Sequence, residues 1–338
     1  MFGRLGTATY EASPNIALVK YWGVRDEALG LPYNSSLSVT LDRLRTRTRV
    51  RFDAKLPSDR FVLNRKSTGG EPLRGVSEFL DNVRAIAGTE ARAEVTSSNN
   101  FQTASGLASS ASGFAALAGA ASLAAGLRLT PPALSRLARL GSGSACRSLF
   151  GGFVEWRAGT RTDGRDCYAR PLYPPSHWPA LVDLVALIRD APVKPVRSAV
   201  AMQRTVATSP EYARRLREVP GRIRTMKRAI AKRDAATLFD ETMRECDSFR
   251  LVCETTQPSL DYLVPASRSV LAGVRAANEE AGAVIAGYTH DAGAHVHVFT
   301  TMPHATKLAR SLGRIRGVEK VLRLRAGPGG RVVGRRSR

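Results

Sequence analysis

Three stretches of this chain carry residue types that could act on an anion. The first runs Phe101-Gln102-Thr103-Ala104-Ser105-Gly106-Leu107-Ala108-Ser109-Ser110-Ala111-Ser112-Gly113 and leads into an apolar, helix-like segment. A loop of Gly, Ser and Ala lets backbone N–H groups approach an anion closely, and the helix behind it aims its positive end at the same point. That is the chemistry of a phosphate cradle, although tight helix packing or a merely flexible loop uses the same residues. The P-loop pattern Gly-x-x-x-x-Gly-Lys-Ser/Thr is absent from the chain. The second stretch, Gly141-Ser142-Gly143-Ser144-Ala145-Cys146-Arg147-Ser148, adds an arginine to another small-residue loop. Two anion-friendly loops, one with a guanidinium, are a more specific signal than either alone. The third consists of single charges: Lys20, which closes the apolar run Ile16-Ala-Leu-Val19, and Asp291, in a turn flanked by Gly287 and Gly293. Lys20 reads either as a snorkelling lysine at the end of an element or as a charge held at a site.

Strands and helices must position these groups. Thr7 to Ser13 alternates like a half-buried strand, Leu31 to Asp42 reads as a polar turn passing into an alternating strand, and Thr46 to Phe52 predicts another strand after it. Residues 53 to 75 predict loops, Ser77 to Ile86 a short amphipathic helix, and Ala91 to Ser97 a strand that delivers the chain to the first small-residue loop. Thr130-Pro131-Pro132 stops and restarts the chain, so Ala133 to Leu140 makes another helix. Gly151-Gly152 breaks into a strand over Phe153 to Trp156, and Leu181 to Ile188 forms the next. Residues 210 to 245 carry helical periodicity and many charges, which predicts one or two surface helices, with another over Ser267 to Ala281. Ala283 to Phe299 reads as strand, tight turn, strand. His295 and His297 share a face there, but no further Cys, Asp or Glu accompanies them, so ordinary strand histidines are expected rather than metal ligands. The Pro192-Val-Lys-Pro195 break sets a domain boundary, giving domains over 1–190 and 191–324. The Gly-, Pro- and Arg-rich tail 325–338 is expected to be disordered.

Composition narrows the classes. At 338 residues and 43% hydrophobic, the chain is globular and long enough for one large domain or two ordinary ones. A formal charge of +22 raises nucleic acid, a membrane surface or anionic small molecules as partners. Only eight of the 51 cations are lysines, and the arginines are dispersed, a pattern that genomic base composition also produces. No nucleic-acid motif or aromatic platform accompanies the charge, so nucleic acid is disfavoured. Leu107 to Leu127 is free of charge and as long as a membrane span, yet it is mostly Ala, Gly and Ser, which suits a buried helix better. No secretory signal is visible at the N-terminus, and four cysteines without a C-x-x-C pair predict reduced thiols in a cytoplasmic protein.

Six blocks together resemble the diphosphomevalonate decarboxylase family of the GHMP small-molecule kinase superfamily. They are Asn15-Ile-Ala-Leu-Val-Lys-Tyr-Trp-Gly23, Asn34-Ser-Ser-Leu-Ser-Val-Thr-Leu41, Thr103-Ala-Ser-Gly-Leu-Ala-Ser-Ser-Ala111, Gly141-Ser-Gly-Ser-Ala-Cys-Arg-Ser148, Met202-Gln-Arg-Thr-Val-Ala-Thr-Ser209 and Tyr288-Thr-His-Asp-Ala-Gly293. The resemblance implies a two-domain α+β GHMP kinase fold. Its N-terminal half would be like ribosomal protein S5 domain 2 and its C-terminal half ferredoxin-like. It also implies ATP and Mg²⁺ as cofactors, a phosphorylated mevalonate as substrate, and a homodimer. Carried onto this chain, it puts the ATP phosphates on Thr103, Ala104, Ser105, Gly106, Leu107, Ala108, Ser109 and Ser110. Asp291 would act on the substrate's tertiary hydroxyl with Lys20 beside it, and Arg147, Ser144 and Tyr21 would bind substrate. The resemblance names no protein ligand for Mg²⁺.

The chain departs from that family at Val24, Gln102, Ala294-His295 and Arg197-Ser198-Ala199-Val200-Ala201. Val24 and Ala199 stand where the family carries basic residues toward the terminal phosphates. Mevalonate 5-diphosphate is therefore the leading substrate, with mevalonate 5-phosphate, or a kinase that stops at phosphorylation, as alternatives.

Overall fold

The computed structural model describes residues 5–101, 109–192 and 196–337. The first half runs β1 (Gly6–Ala12), β2 (Asn15–Val19), β3 (Val24–Asp26), β4 (Leu31–Pro32), β5 (Ser36–Thr40), β6 (Thr46–Asp53), β7 (Arg60–Leu63), β8 (Lys66–Ser67), α1 (Gly70–Ala87), β9 (Arg92–Asn99), α2 (Ser109–Ala124), α3 (Pro131–Gly141), α4 (Ala145–Ser148), β10 (Phe153–Trp156) and β11 (Ala169–Tyr173). The second runs β12 (Leu181–Ile188), α5 (Ser198–Thr208), α6 (Tyr212–Lys232), α7 (Ala235–Glu254), α8 (Pro265–Ala281), β13 (Ala286–His290), β14 (Val296–Thr301), α9 (Met302–Gly313), β15 (Val318–Leu324) and β16 (Arg331–Ser337).

Alternation along β6 shows how the first sheet faces its core. Thr46, Thr48, Val50 and Phe52 are buried while Arg47 and Arg49 face water. The sheet order is β16-β1-β6-β9-β7-β8, antiparallel except for the β7–β9 pair. Its inner face packs on α1 and α2, and α3 packs against those helices in the same core. The Ala-, Gly- and Ser-rich α2 is buried on nearly every side, which its small residues permit and a charged face would forbid. A second sheet, β11-β10-β5-β2, turns Ile16, Leu18, Leu37, Val39 and Phe153 into a core shared with Val219, Ile223, Met226 and Ile230 of α6 and Leu238 and Phe239 of α7. The third, β13-β14-β12-β15, is antiparallel and packs Val182, Leu184, Val296 and Val298 against α8 and α9. Among the described residues, no helix is long and apolar enough to cross a membrane.

Several expectations need correction. β12, on the near side of the boundary expected at residue 190, is an inner strand of the third sheet. Its Leu181 and Val185 join the core shared with α6 and α7, and Val182, Leu184 and Ala186 join the core under α8 and α9. The tail expected to be disordered supplies β16, antiparallel to β1 with Glu11 opposite Arg331 and Gly6 opposite Ser337. Its glycines serve close approach rather than flexibility: Gly152 N–H donates to Gly327 O at 2.9 Å and Gly327 N–H to Thr40 O at 2.7 Å. A Cβ on Gly151 would lie 2.6 Å from the Gly329 nitrogen. The short helix expected at Ser77–Ile86 is the 18-residue α1. Residues 210 to 245, expected to form one or two surface helices, hold α6 and most of α7, each burying one face.

Candidate active site

β2 ends at Val19, and the chain then turns through Lys20, Tyr21 and Trp22 into a cleft of about 550 Å³ formed by residues of both halves. The other walls come from the first turn of α2 through Ser110, from the α3–α4 connection and α4 through Ser144 and Arg147, from the start of α5, and from Asp291 just after β13. Lys20, Tyr21, Ser110, Ser144, Arg147 and Asp291 thus line one cavity although they are spread over more than 270 residues of sequence. Ser109 opens α2. Thr103, Ala104, Ser105, Gly106, Leu107 and Ala108 lie outside the described residues.

Lys20 Nζ donates to Asp291 Oδ1 at 3.0 Å, an ion pair whose side chains are 4% and 25% exposed. The lysine is thereby committed to the carboxylate, and the carboxylate keeps a face toward the cleft. The Lys20 backbone is held as firmly as its head group. Its N–H donates to Glu245 Oε1 at 2.9 Å, and its carbonyl accepts from Asn34 Nδ2 at 2.9 Å and from Arg215 Nη2 at 3.2 Å. Arg215 Nη2 also donates to Glu245 Oε1 at 2.5 Å, with both side chains shut off from water. A buried ion pair carried by α6 and α7 therefore grips both main-chain polar groups of Lys20.

Arg147, 3% exposed, lines the same cleft, its Nε donating to Asn15 Oδ1 at 3.0 Å and its Nη1 to Ser36 Oγ at 2.6 Å. Asn15 is oriented in turn by Ser148 Oγ at 2.7 Å and the Ser144 carbonyl at 3.2 Å. Burial lowers the Arg147 guanidinium from its ordinary value, against the pull of Cys146, Asp291 and Tyr21. Burial pushes the Tyr21 hydroxyl and the Cys146 thiol far up, so both stay protonated at neutral pH. Gly143 makes room for this wall, because a Cβ there would lie 2.7 Å from the Tyr21 ring and 2.8 Å from Trp156. Those two rings pack edge to face at 4.7 Å.

The strand histidines have structural partners: His297 Nδ1 meets Asp183 Oδ2 at 2.7 Å, and His295 Nδ1 accepts from Ile188 N–H at 3.1 Å. Burial, with Lys20 nearby for His290 and His297 nearby for His295, lowers both His290 and His295 from 6.5 to about 4. The unfolded chain takes up a proton on each below pH 6.5 while the folded chain does not. Stability should therefore fall as pH drops from 6.5 toward 4, by about 1.4 kcal/mol per pH unit for each histidine, and level off below. In His295→Asn the thermal midpoint should decline less steeply than wild type over that window; parallel curves would contradict the assignment.

Asn15, Asn34 and Ser36 were within reach of the sequence, since they fall inside the blocks that carry Lys20 and Arg147. Arg215 and Glu245 were not, and nothing in their neighbourhood of charged helical residues sets them apart.

Two α+β halves that meet at a cleft, with the N-terminal turn of a buried small-residue helix on its wall, define the architecture of the GHMP small-molecule kinases. Family models place the chain more finely within that class. A diphosphomevalonate decarboxylase-like N-terminal domain matches residues 12–169, and a mevalonate 5-diphosphate decarboxylase C-terminal domain matches residues 184–324. The diphosphomevalonate decarboxylase of Aspergillus fumigatus is 40% identical over 326 residues, 92% of this chain and 80% of that one. The human diphosphomevalonate decarboxylase is 40% identical over 314 residues, 88% of this chain and 77% of that one. Among solved structures, the Staphylococcus aureus mevalonate diphosphate decarboxylase superposes with a TM-score of 0.91 at 34% identity, covering 98% of each chain. A complex of MDDEF with MVAPP, AMPPCP and magnesium gives 0.90 at 38% identity, covering 97% of this chain and 99% of that one. The chain belongs to the diphosphomevalonate decarboxylase family.

Proposed function

We propose that this protein decarboxylates mevalonate 5-diphosphate at the expense of ATP, yielding isopentenyl diphosphate, ADP, phosphate and carbon dioxide. The observation that carries the reading is the Lys20–Asp291 pair at 3.0 Å in the same cleft as Arg147, in a chain of this family. Asp291 accepts a hydrogen bond from the substrate's tertiary hydroxyl and takes its proton as the oxygen receives the γ-phosphoryl group. Lys20 keeps the carboxylate aimed by charge and hydrogen bond. Arg147, with Ser144 beside it and Tyr21 across the wall, holds the substrate carboxylate. The phosphorylated oxygen then leaves as phosphate, carbon dioxide departs, and the electrons of the broken carbon–carbon bond form the new double bond. The Ser110 hydroxyl in the first turn of α2 is a hard oxygen donor of the kind Mg²⁺ takes together with phosphates and water. Mg-ATP supplies the phosphoryl group and charge neutralisation; Ser109 and Ser110, at the N-terminal turn of α2, suit its phosphates.

The test is to incubate the full chain with Mg-ATP and, separately, mevalonate, its 5-phosphate and its 5-diphosphate, following ADP and carbon dioxide. Equal release of both products from the 5-diphosphate is expected. Carbon dioxide from the 5-phosphate alone would shorten the substrate by one phosphate. ADP without carbon dioxide would make the protein a kinase, and no turnover of any compound would end both readings. In this reading the protein works in the cytoplasm as a homodimer, in keeping with four free buried cysteines; light scattering on the purified chain measures the assembly.

A further inference from the structure

Among the described residues, four cations line the cleft: Lys20, Arg139, Arg147 and Arg197. Three are themselves buried and committed to partners within the fold. Lys20 is bound to Asp291, and Arg147 is fixed by Asn15 and Ser36. Arg139, 4% exposed, spends its donors on main-chain carbonyls, Nε on Leu29 at 2.8 Å and Nη1 on Gly164 at 3.2 Å and on Cys167. Arg197 is different in kind. Its side chain is 70% exposed, and its partner is Glu71 Oε1 at 2.9 Å, a carboxylate itself 58% exposed.

An ion pair that open to water contributes little, and it is readily exchanged for a stronger anion. A phosphate offers a guanidinium two parallel charge-assisted hydrogen bonds, which a single exposed carboxylate oxygen does not. The position suits such an exchange. Glu71 lies in the first turn of α1 in the N-terminal half, whereas Arg197 immediately precedes α5 in the C-terminal half, so the pair spans the two halves at the cleft. Ser198 and Ala199 of the first α5 turn line the same cleft, as does Val24, and none of the three brings a charge.

We propose that Arg197 receives the terminal phosphate of the substrate, giving up Glu71 to do so, and that it sets the preference for a 5-diphosphate over a 5-monophosphate. This rests on the reading of the substrate as a 5-phosphorylated mevalonate. Both residues are exposed, so their variants should fold.

The experiment compares wild type, Arg197→Ala, Arg197→Lys and Glu71→Gln by steady-state kinetics with mevalonate 5-diphosphate and 5-phosphate at saturating Mg-ATP. Equilibrium binding of each compound is measured by calorimetry alongside. For Arg197→Ala the expected result is a rise of about 10- to 100-fold in KM and Kd for the diphosphate, with kcat within about twofold and binding of the monophosphate little changed. Arg197→Lys should recover part of the loss, and Glu71→Gln should lower KM for the diphosphate by removing the competing carboxylate. An unchanged KM and Kd in Arg197→Ala, or equal losses for both compounds, would overturn the proposal. A wild-type chain that binds the diphosphate without releasing carbon dioxide would fail the functional reading and still score Arg197 through Kd. One that neither binds nor turns it over would fail both.

Discussion

Asp291→Asn should reduce kcat by about a thousandfold, within the range a general base supplies, while leaving ATP affinity near wild type. Asparagine has almost the same shape and still offers Lys20 a carbonyl oxygen, so the 3.0 Å contact can persist without its charge. What disappears is the proton acceptor. The fold should survive, because Asp291 is one-quarter exposed and the desolvation left behind falls mainly on Lys20. Lys20 and Asp291 act as a unit, so Lys20→Met combined with Asp291→Asn should cost no more than the worse of the two single changes. Single-turnover release of carbon dioxide and nucleotide binding by calorimetry separate chemistry from affinity. If Asp291→Asn kept more than a tenth of the wild-type rate, Asp291 would not be the base.

The parts of the site that were legible in the sequence are those whose signal is local. Lys20 stands just after a five-residue strand whose last four residues are apolar, Asp291 just after another strand, and Ser110 in the first turn of a helix too rich in alanine to belong on a surface. Each stands out from its immediate neighbours, while the role expected of it comes from the family resemblance. Elements whose place in the fold is not local have their deciding contacts far along the chain. β12 is recognisable as a strand from its apolar run, but its membership of the third sheet depends on β14 and β15, more than 100 residues further on. β16 was masked by arginines and glycines, and its pairing with β1 joins the two ends of the chain. Arg215 and Glu245 look like two more charges on charged helices; only their fully buried position against the Lys20 main chain distinguishes them.

That buried pair carries the second large expectation. Glu245→Ala should destabilise the protein by about 3–5 kcal/mol, since it strands the Arg215 charge and also leaves the Lys20 N–H without its acceptor. A fall of about 10 °C in the thermal midpoint is the corresponding readout. Loss of stability alone would not separate a packing role from a positioning one. The pair itself is not well satisfied: Arg215 Nε and Nη1 and Glu245 Oε2 are buried and make no hydrogen bond among the described residues, and the charge beside Oε2, Arg222 Nε, stands 3.8 Å away, beyond hydrogen-bond reach. Desolvation on that scale is poorly repaid, so the pair makes little sense as a stability device, and replacing both members with apolar residues should be tolerated. Arg215→Leu combined with Glu245→Leu should therefore regain much of the midpoint lost in Glu245→Ala. It would still lack the two groups that grip the Lys20 amide and carbonyl, so Lys20 and, through it, Asp291 would lose their fixed placement. The double variant should then be nearly as stable as wild type yet slower by about a hundredfold in kcat, the scale of loss expected when a catalytic group is misplaced by about an ångström. A double variant that regained both stability and kcat would show that Asn34 and the β2 backbone hold Lys20 without help from α6 and α7.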